Sequence, residues 1–236
     1  MSEALREAAM RTQQRLETEW RTSMARDDGW FDATVPHDVR TIPWPGDTPM
    51  SCNWPLRRDR GDSVNVSSVT FSPHLGTHAD APLHVKDTAR PSDAIPVLPF
   101  NGLVHVVDVR DLREAISLVQ LRERLRVEDP LRILLRTGAC VAEGKFPQAW
   151  PWLNAESARE LVMRGLRLLG TDAPSVDARE SKSMETHAAC FDHGAWILEN
   201  LDLRDVAPGA YELRALPMRI QGIDAAPVRA LLRVVT

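Results

Sequence analysis

The chain has 236 residues, 43% of them apolar and 26% charged, which is enough to bury a sizeable core in one main domain. A net charge of -4, with no basic run longer than the interrupted Arg57-Arg58-Asp59-Arg60, argues against a nucleic-acid partner, and no apolar run approaches the ~20 residues of a membrane span. The first twenty residues carry Glu3, Glu7, Glu17 and Glu19, unlike an export or import signal, so a cytoplasmic location is expected.

Residues 2 to 26 read as a helix, because Leu5, Ala9, Leu16, Trp20 and Met24 recur at spacings of four and seven among charged residues. Asp27-Asp28-Gly29 ends it, and residues 1–28 are taken as a helical extension of a main domain at 29–236. The following stretch, VPHDVRTIPWPGDTP, holds four prolines and is expected to be a rigid extended loop. A strand over SVNVSSVTFSPH should carry a bulge near Ser67-Ser68, because Val64 and Val66 share one parity while Val69 and Phe71 share the other. Six further strands are predicted at 103–109, 131–137, 166–172, 195–201, 211–218 and 228–235. Between them, Asn154 caps a helix that stops at Gly165, and a second helix runs from 183 to Gly194. Strands in runs outnumber helices, which predicts a mixed α/β fold with a curved or barrel-like sheet and flanking helices. Cys52, Cys140 and Cys190 lie far apart in no zinc or disulfide pattern and are expected to be small buried residues.

The densest chemistry lies in HLGTHADAPLH, residues 74 to 84. His74, His78, Asp80 and His84 share parity, so an extended segment would turn all four to one face, and Pro73, Gly76 and Pro82 oppose a helix there. Two imidazoles and a carboxylate form a nitrogen and oxygen set that suits borderline divalent cations such as zinc or manganese. A lone histidine is more often a packed or surface residue; four such groups in eleven positions favour a cation site.

This segment matches the motif His-x-Gly-Thr-His-x-Asp-x-Pro-x-His of the metal-dependent cyclase family, whose best-known members are bacterial kynurenine formamidases. The resemblance extends through WPGDTP (44–49), LLRTG (134–138), GTDAPSVD (170–177), SKSMETH (181–187), ILEN (197–200), YELRALPM and DAAPVRALL. It implies a swivelling β/β/α-like fold and two divalent ions, zinc or manganese. By resemblance, His74, His78 and Asp80 hold one ion, and Asp80, His187 and Glu199 hold the other. His84 would be the proton shuttle, or else a group that orients a ligand. Trp44, between Pro43 and Pro45, would line an aromatic substrate pocket or simply pack. The implied reaction is hydrolysis of N-formyl-L-kynurenine, a small aryl formamide, by a homodimer. Family members commonly have a histidine where Ala188 stands, so a ring-opening relative acting on a substrate such as isatin remains an alternative. A non-catalytic protein stapled by metal is a third reading. His37, His105 and His193 match no ligand position of the family, and Asp172 and Lys182 are given supporting roles.

Overall fold

The computed structural model describes residues 29–125 and 127–235, so the helix expected over 2–26 lies outside the described residues. In chain order the strands are β1 (Trp30–Asp32), β2 (Ser51–Leu56), β3 (Val66–Thr70), β4 (His78–Asp80), β5 (Asn101–Asp108), β6 (Ala115–Ile116), β7 (Arg132–Arg136), β8 (Trp152–Leu153), β9 (Leu168–Thr171), β10 (Trp196–Glu199), β11 (Gly209–Pro217) and β12 (Ala225–Val234). Three α-helices are described: α1 (Leu118–Arg122), α2 (Ala155–Met163) and α3 (Glu185–Asp192).

Strands β5, β7, β9 and β10 are parallel neighbours, with Val106 opposite Leu134, Leu134 opposite Gly170, and Gly170 opposite Leu198. Their sequences are near-continuous apolar runs because both faces are covered, and Ile133, Leu134, Leu168, Leu169, Ile197 and Leu198 are fully buried. Each such side chain contributes about 1.5–3 kcal/mol of burial. Antiparallel β11 and β12 continue the sheet from β5. The ring then closes through a strand of three residues: β4 pairs with β10 on one side and with β12 on the other, so that Asp80 faces both Ile197 and Ala225. A mixed barrel of seven strands results, with β1 added at the far end of β12. The curved or barrel-like sheet expected from the strand count is therefore present.

Helix α2 starts where the Asn154 side chain accepts from the Ser157 amide at 2.8 Å, and it ends before Gly165, whose φ of +118° an L residue rarely adopts. It packs beside α3 outside the parallel strands.

Three expectations need correction. The irregularity expected at Ser67-Ser68 lies on the opposite strand: Asn53 pairs with Ser68 and Leu56 with Val66, so the extra residue falls at Trp54-Pro55, where proline cannot donate to the ladder. That hairpin, β2–β3, is a separate two-stranded sheet that stands off the barrel with every strand residue exposed, including Cys52. Cys52 is thus not a core residue, whereas Cys140 and Cys190 are. Finally, Val64 precedes β3 rather than lying in it.

Candidate metal centre

The closing strand β4 brings the first donors in. His78 and Asp80 point to one side of it with Ala79 between them, and both are buried. The turn before it is pinned at both ends: the Thr77 hydroxyl accepts from the Val35 amide at 2.7 Å and donates to the Asn200 carbonyl at 2.6 Å. Gly76 sits there at φ +64°, and a Cβ on it would lie 2.8 Å from the Val35 carbonyl oxygen. Glycine is required both by the backbone angle and by the close approach. After β4, a 3-10 turn over Pro82–His84 carries His84 back to the same side.

The remaining donors come from the second half of the chain. Helix α3 opens at Met184, in a left-handed conformation and with no cap of its own. Asp177 supplies the cap from outside, accepting from the amides of Thr186 (2.8 Å) and His187 (3.0 Å), and it also accepts from His187 Nδ1 at 2.6 Å. One carboxylate therefore starts the helix and aims the imidazole. Glu199 ends β10, held by the Val176 amide donating to its Oε1 at 2.7 Å.

These side chains converge. Asp80 Oδ1 lies 3.1 Å from His74 Nδ1 and 3.2 Å from His78 Nε2, while Asp80 Oδ2 lies 3.2 Å from His187 Nε2. Glu199 repeats the pattern, with Oε2 at 3.6 Å from His78 Nε2 and Oε1 at 3.5 Å from His187 Nε2. Each carboxylate thus divides its two oxygens between two histidine groups. The outward nitrogen of each imidazole meets an acceptor: Asp224 Oδ2 at 2.9 Å for His74, the Gly76 carbonyl at 2.9 Å for His78, and Asp177 for His187. Those partners require N–H on the outer nitrogen, so the lone pair of each ring is turned inward.

The chemistry of this donor set fits a divalent cation. Asp80 Oδ1 is buried and accepts no hydrogen bond, although two ring nitrogens stand close to it. An anionic oxygen buried without a donor is costly unless a positive charge balances it. Electrostatics point the same way. Burial opposes a charge on His78 and His187, yet the surrounding Asp80, Glu199 and Asp177 outweigh it and push both up to about 10. His74 is likewise raised, to about 9, with Asp224 and Asp80 overcoming its burial. The cluster demands positive charge, supplied by protons or by metal.

His84 is half-buried at the edge of this group, its ring centroid 4.2 Å from that of His74 and 5.7 Å from that of His187. A cavity of ≈ 660 Å³ opens beside it, lined by Trp44, His74, His78, His84, Phe146, Lys182, Glu199, Asn200 and Asp224 among others. Trp44 forms its aromatic wall, packed edge-on against Phe146 (5.2 Å) and Trp150 (6.1 Å). Of the side chains given a site role in the sequence, Trp44, His74, His78, His84 and Glu199 line this cavity, and Asp80 and His187 join them through the contacts between Asp80 and the histidines. A larger groove of ≈ 1090 Å³ runs along β1 and holds none of them. His37 lines that groove, and His105 and His193 lie outside the cluster. Asp172 accepts from the amides of Thr137 (2.7 Å) and Gly138 (3.0 Å), a purely structural link between the ends of β7 and β9.

Residues 31–178 match the sequence family described as "Putative cyclase". The chain belongs to the cyclase family. Kynurenine formamidase of Bacillus cereus (strain ATCC 10987 / NRS 248) is 40% identical over 206 residues, spanning 86% of this chain and 97% of that one. A solved structure titled a potential metal-dependent hydrolase with cyclase activity superposes with a TM-score of 0.73 at 26% identity, over 86% of this chain and 96% of that one. An isatin hydrolase bound to the product analogue thioisatinate shares the fold, with a TM-score of 0.75 at 17% identity over 94% and 99%. The resemblance drawn from the motif is therefore borne out.

Sequence reasoning left Asp177, Asn200 and Asp224 without roles. Both aspartates sit inside segments that carry the family resemblance, but an aspartate in a loop, like Asp177, or just before a strand, like Asp224, is indistinguishable in sequence from an ordinary turn residue.

Proposed function

We propose that this cyclase-family protein is a metal-dependent amidohydrolase that cleaves N-formyl-L-kynurenine to L-kynurenine and formate. The observation that carries the reading is the division of Asp80 between two histidine groups, Oδ1 toward His74 and His78 and Oδ2 toward His187, beside an aromatic-walled cavity. The kynurenine formamidase name of a relative 40% identical over nearly its whole length supports the substrate. In this reading His74, His78 and Asp80 hold one divalent ion and Asp80, His187 and Glu199 a second, with zinc favoured and manganese as the alternative. Such ions, when bound, supply an acidified water and a Lewis acid for an amide carbonyl.

The chain's own residues do the rest. Trp44, braced by Phe146 and Trp150, gives the aryl ring of the substrate a rigid face. His84 takes a proton as the attacking water adds to the formyl carbon and returns it to the aryl nitrogen as the C–N bond breaks, so that the leaving group departs as a neutral amine. Burial of His78, Asp80 and His187 keeps bulk water from competing for them. A homodimer belongs to the same reading, on the strength of the family resemblance.

Stripping the protein with a chelator and assaying N-formylkynurenine and isatin in parallel after adding zinc or manganese tests this directly. Turnover of N-formylkynurenine that returns with the ion is expected; turnover of isatin alone would reassign the substrate, and turnover of neither would overturn the reading. His84→Ala should keep its metal and lose about 10²–10⁴-fold in kcat, whereas His78→Ala should lose metal. Equal metal loss in both would remove His84 from proton transfer.

A further inference from the structure

The turn that precedes β12 holds a carboxylate to which the mechanism above assigns nothing. The backbone of Asp224 is joined to the donor segment on one side, its carbonyl accepting from the Ala81 amide at 2.9 Å. On the other side the Ile223 carbonyl accepts from the Ser92 amide at 2.8 Å, and the Gly222 amide donates to Asp93 Oδ1 at 3.0 Å. The side chain is thus presented from a firmly tied turn. A single oxygen, Oδ2, lies 2.9 Å from His74 Nε2 and 3.4 Å from His84 Nδ1. The two imidazoles it touches are those given different tasks, and their centroids are 4.2 Å apart. A ring nitrogen of His84 also lies within 4.8 Å of a ligand atom of Asp80 and one of His187, so the shuttle spans the distance between Asp224 and the donor cluster.

We propose that Asp224 is a positioning residue that acts through both rings: it keeps N–H on Nδ1 of His84, turning the other nitrogen toward the scissile amide, and keeps N–H on Nε2 of His74, turning Nδ1 toward the cation. The inference rests on the formamidase reading for the role of His84, but not for that of His74. An imidazole held on one nitrogen by a carboxylate has a defined tautomer and orientation, and the imidazolium that forms during proton transfer gains a counter-charge. The far nitrogen of His84 gains the proton from the attacking water and gives it up to the leaving nitrogen, while the Nδ1 proton stays on Nδ1 facing Asp224, which remains ionised. No other described carboxylate stands within hydrogen-bond distance of His84, so among the described residues Asp224 alone makes this contact.

The test uses zinc-loaded enzyme carrying Asp224→Ala, Asp224→Asn and Asp224→Glu, each also in a His84→Ala background. With N-formylkynurenine, Asp224→Ala is expected to lower kcat about 10²-fold with KM within about twofold, and Asp224→Glu to recover part of the loss. In the His84→Ala background the same change should cost less than about threefold, because a residue that acts through His84 has nothing left to orient. Losses that multiply independently in the double variant would overturn the role at His84. Two readouts do not depend on turnover. The ¹⁵N spectrum of the histidine rings should show His84 passing from a single Nδ1–H tautomer to a mixture in Asp224→Ala. Zinc held against a competing chelator should weaken about 10–100-fold through the loss of the partner of His74. An unchanged His84 tautomer together with unchanged zinc affinity overturns the proposal, whatever the substrate proves to be. A wild-type enzyme inactive on N-formylkynurenine but showing both changes would instead leave Asp224 in place and overturn the substrate.

Discussion

Asp177 shows how much one residue can hold together. Its carboxylate caps α3 through two amides and accepts from His187 Nδ1, and although burial opposes its charge, the bond to His187 holds it below the usual carboxylate range. Asp177→Ala is therefore expected to do two separable things. Loss of the cap should cost about 1–2 kcal/mol in urea unfolding of the metal-free protein. Loss of the ring's outer partner should weaken metal binding about 10–100-fold in chelator competition. A variant destabilised but binding metal as tightly as wild type would make Asp177 a helix cap and nothing more. At this scale the sequence was informative about donor types and poor about their partners. His74, His78, Asp80 and His84 are legible because they crowd into eleven positions, whereas Asp177 contacts a histidine ten residues away and Asp224 contacts two that are 150 and 140 residues away. Spacing along a chain carries no signal for a contact of that range.

Among elements, the segment from His74 to Asp80 depends on a turn that only glycine can make. Gly76→Ala would place a methyl group 2.8 Å from the Val35 carbonyl oxygen at a φ of +64°. The left-handed conformation costs about 1–2 kcal/mol and the clash adds to it, so a clearly lowered urea midpoint and weakened metal binding should appear together. A Gly76→Ala protein as stable and as tightly metallated as wild type would show that the turn relaxes freely. The six later strands were readable because their apolar runs are bounded by turn residues, and α2 because Asn154 and Gly165 mark its ends. The hairpin β2–β3 was not: its alternation registers a pleat, but no signal says that neither face is covered. Short α1 was missed although Ser117 and Gln120 form a reciprocal capping box there, a pattern visible in the sequence as Ser-x-x-Gln.

For the whole molecule, the donor cluster and the barrel seam are one structure. Asp80 lies on the strand that closes the ring between β10 and β12, so a cation bound there crosslinks the first third of the chain to its last third. Chelation should consequently lower the melting temperature: an ion present at about a thousand times its Kd contributes about 4 kcal/mol, or about 10 °C for a chain of this size. A melting curve indifferent to chelator would argue that no ion is bound. Stability should also fall in mild acid through His37, which burial, then the nearby His78, lowers to about 4 from 6.5. A histidine depressed on folding binds its proton more readily when unfolded, so its contribution is present above pH 6.5 and is lost as pH drops toward 4. His37→Phe, keeping a ring against Phe71, should lose less stability than wild type across that window in urea unfolding, and equal pH slopes would exclude His37 as the cause. The sequence by itself determined the apolar strands, the helix ends and the kind of ligand gathered at 74 to 84, because each is written in neighbouring residues. Only the tertiary structure decided that Asp80 divides its oxygens between His74 and His78 on one side and His187, 107 residues further along the chain, on the other, and that Asp224 sits behind two of the four imidazoles. Those contacts arise from which strand edges pair to close the ring, and edge pairing is selected by the packing of the whole core, not by any local stretch of chain.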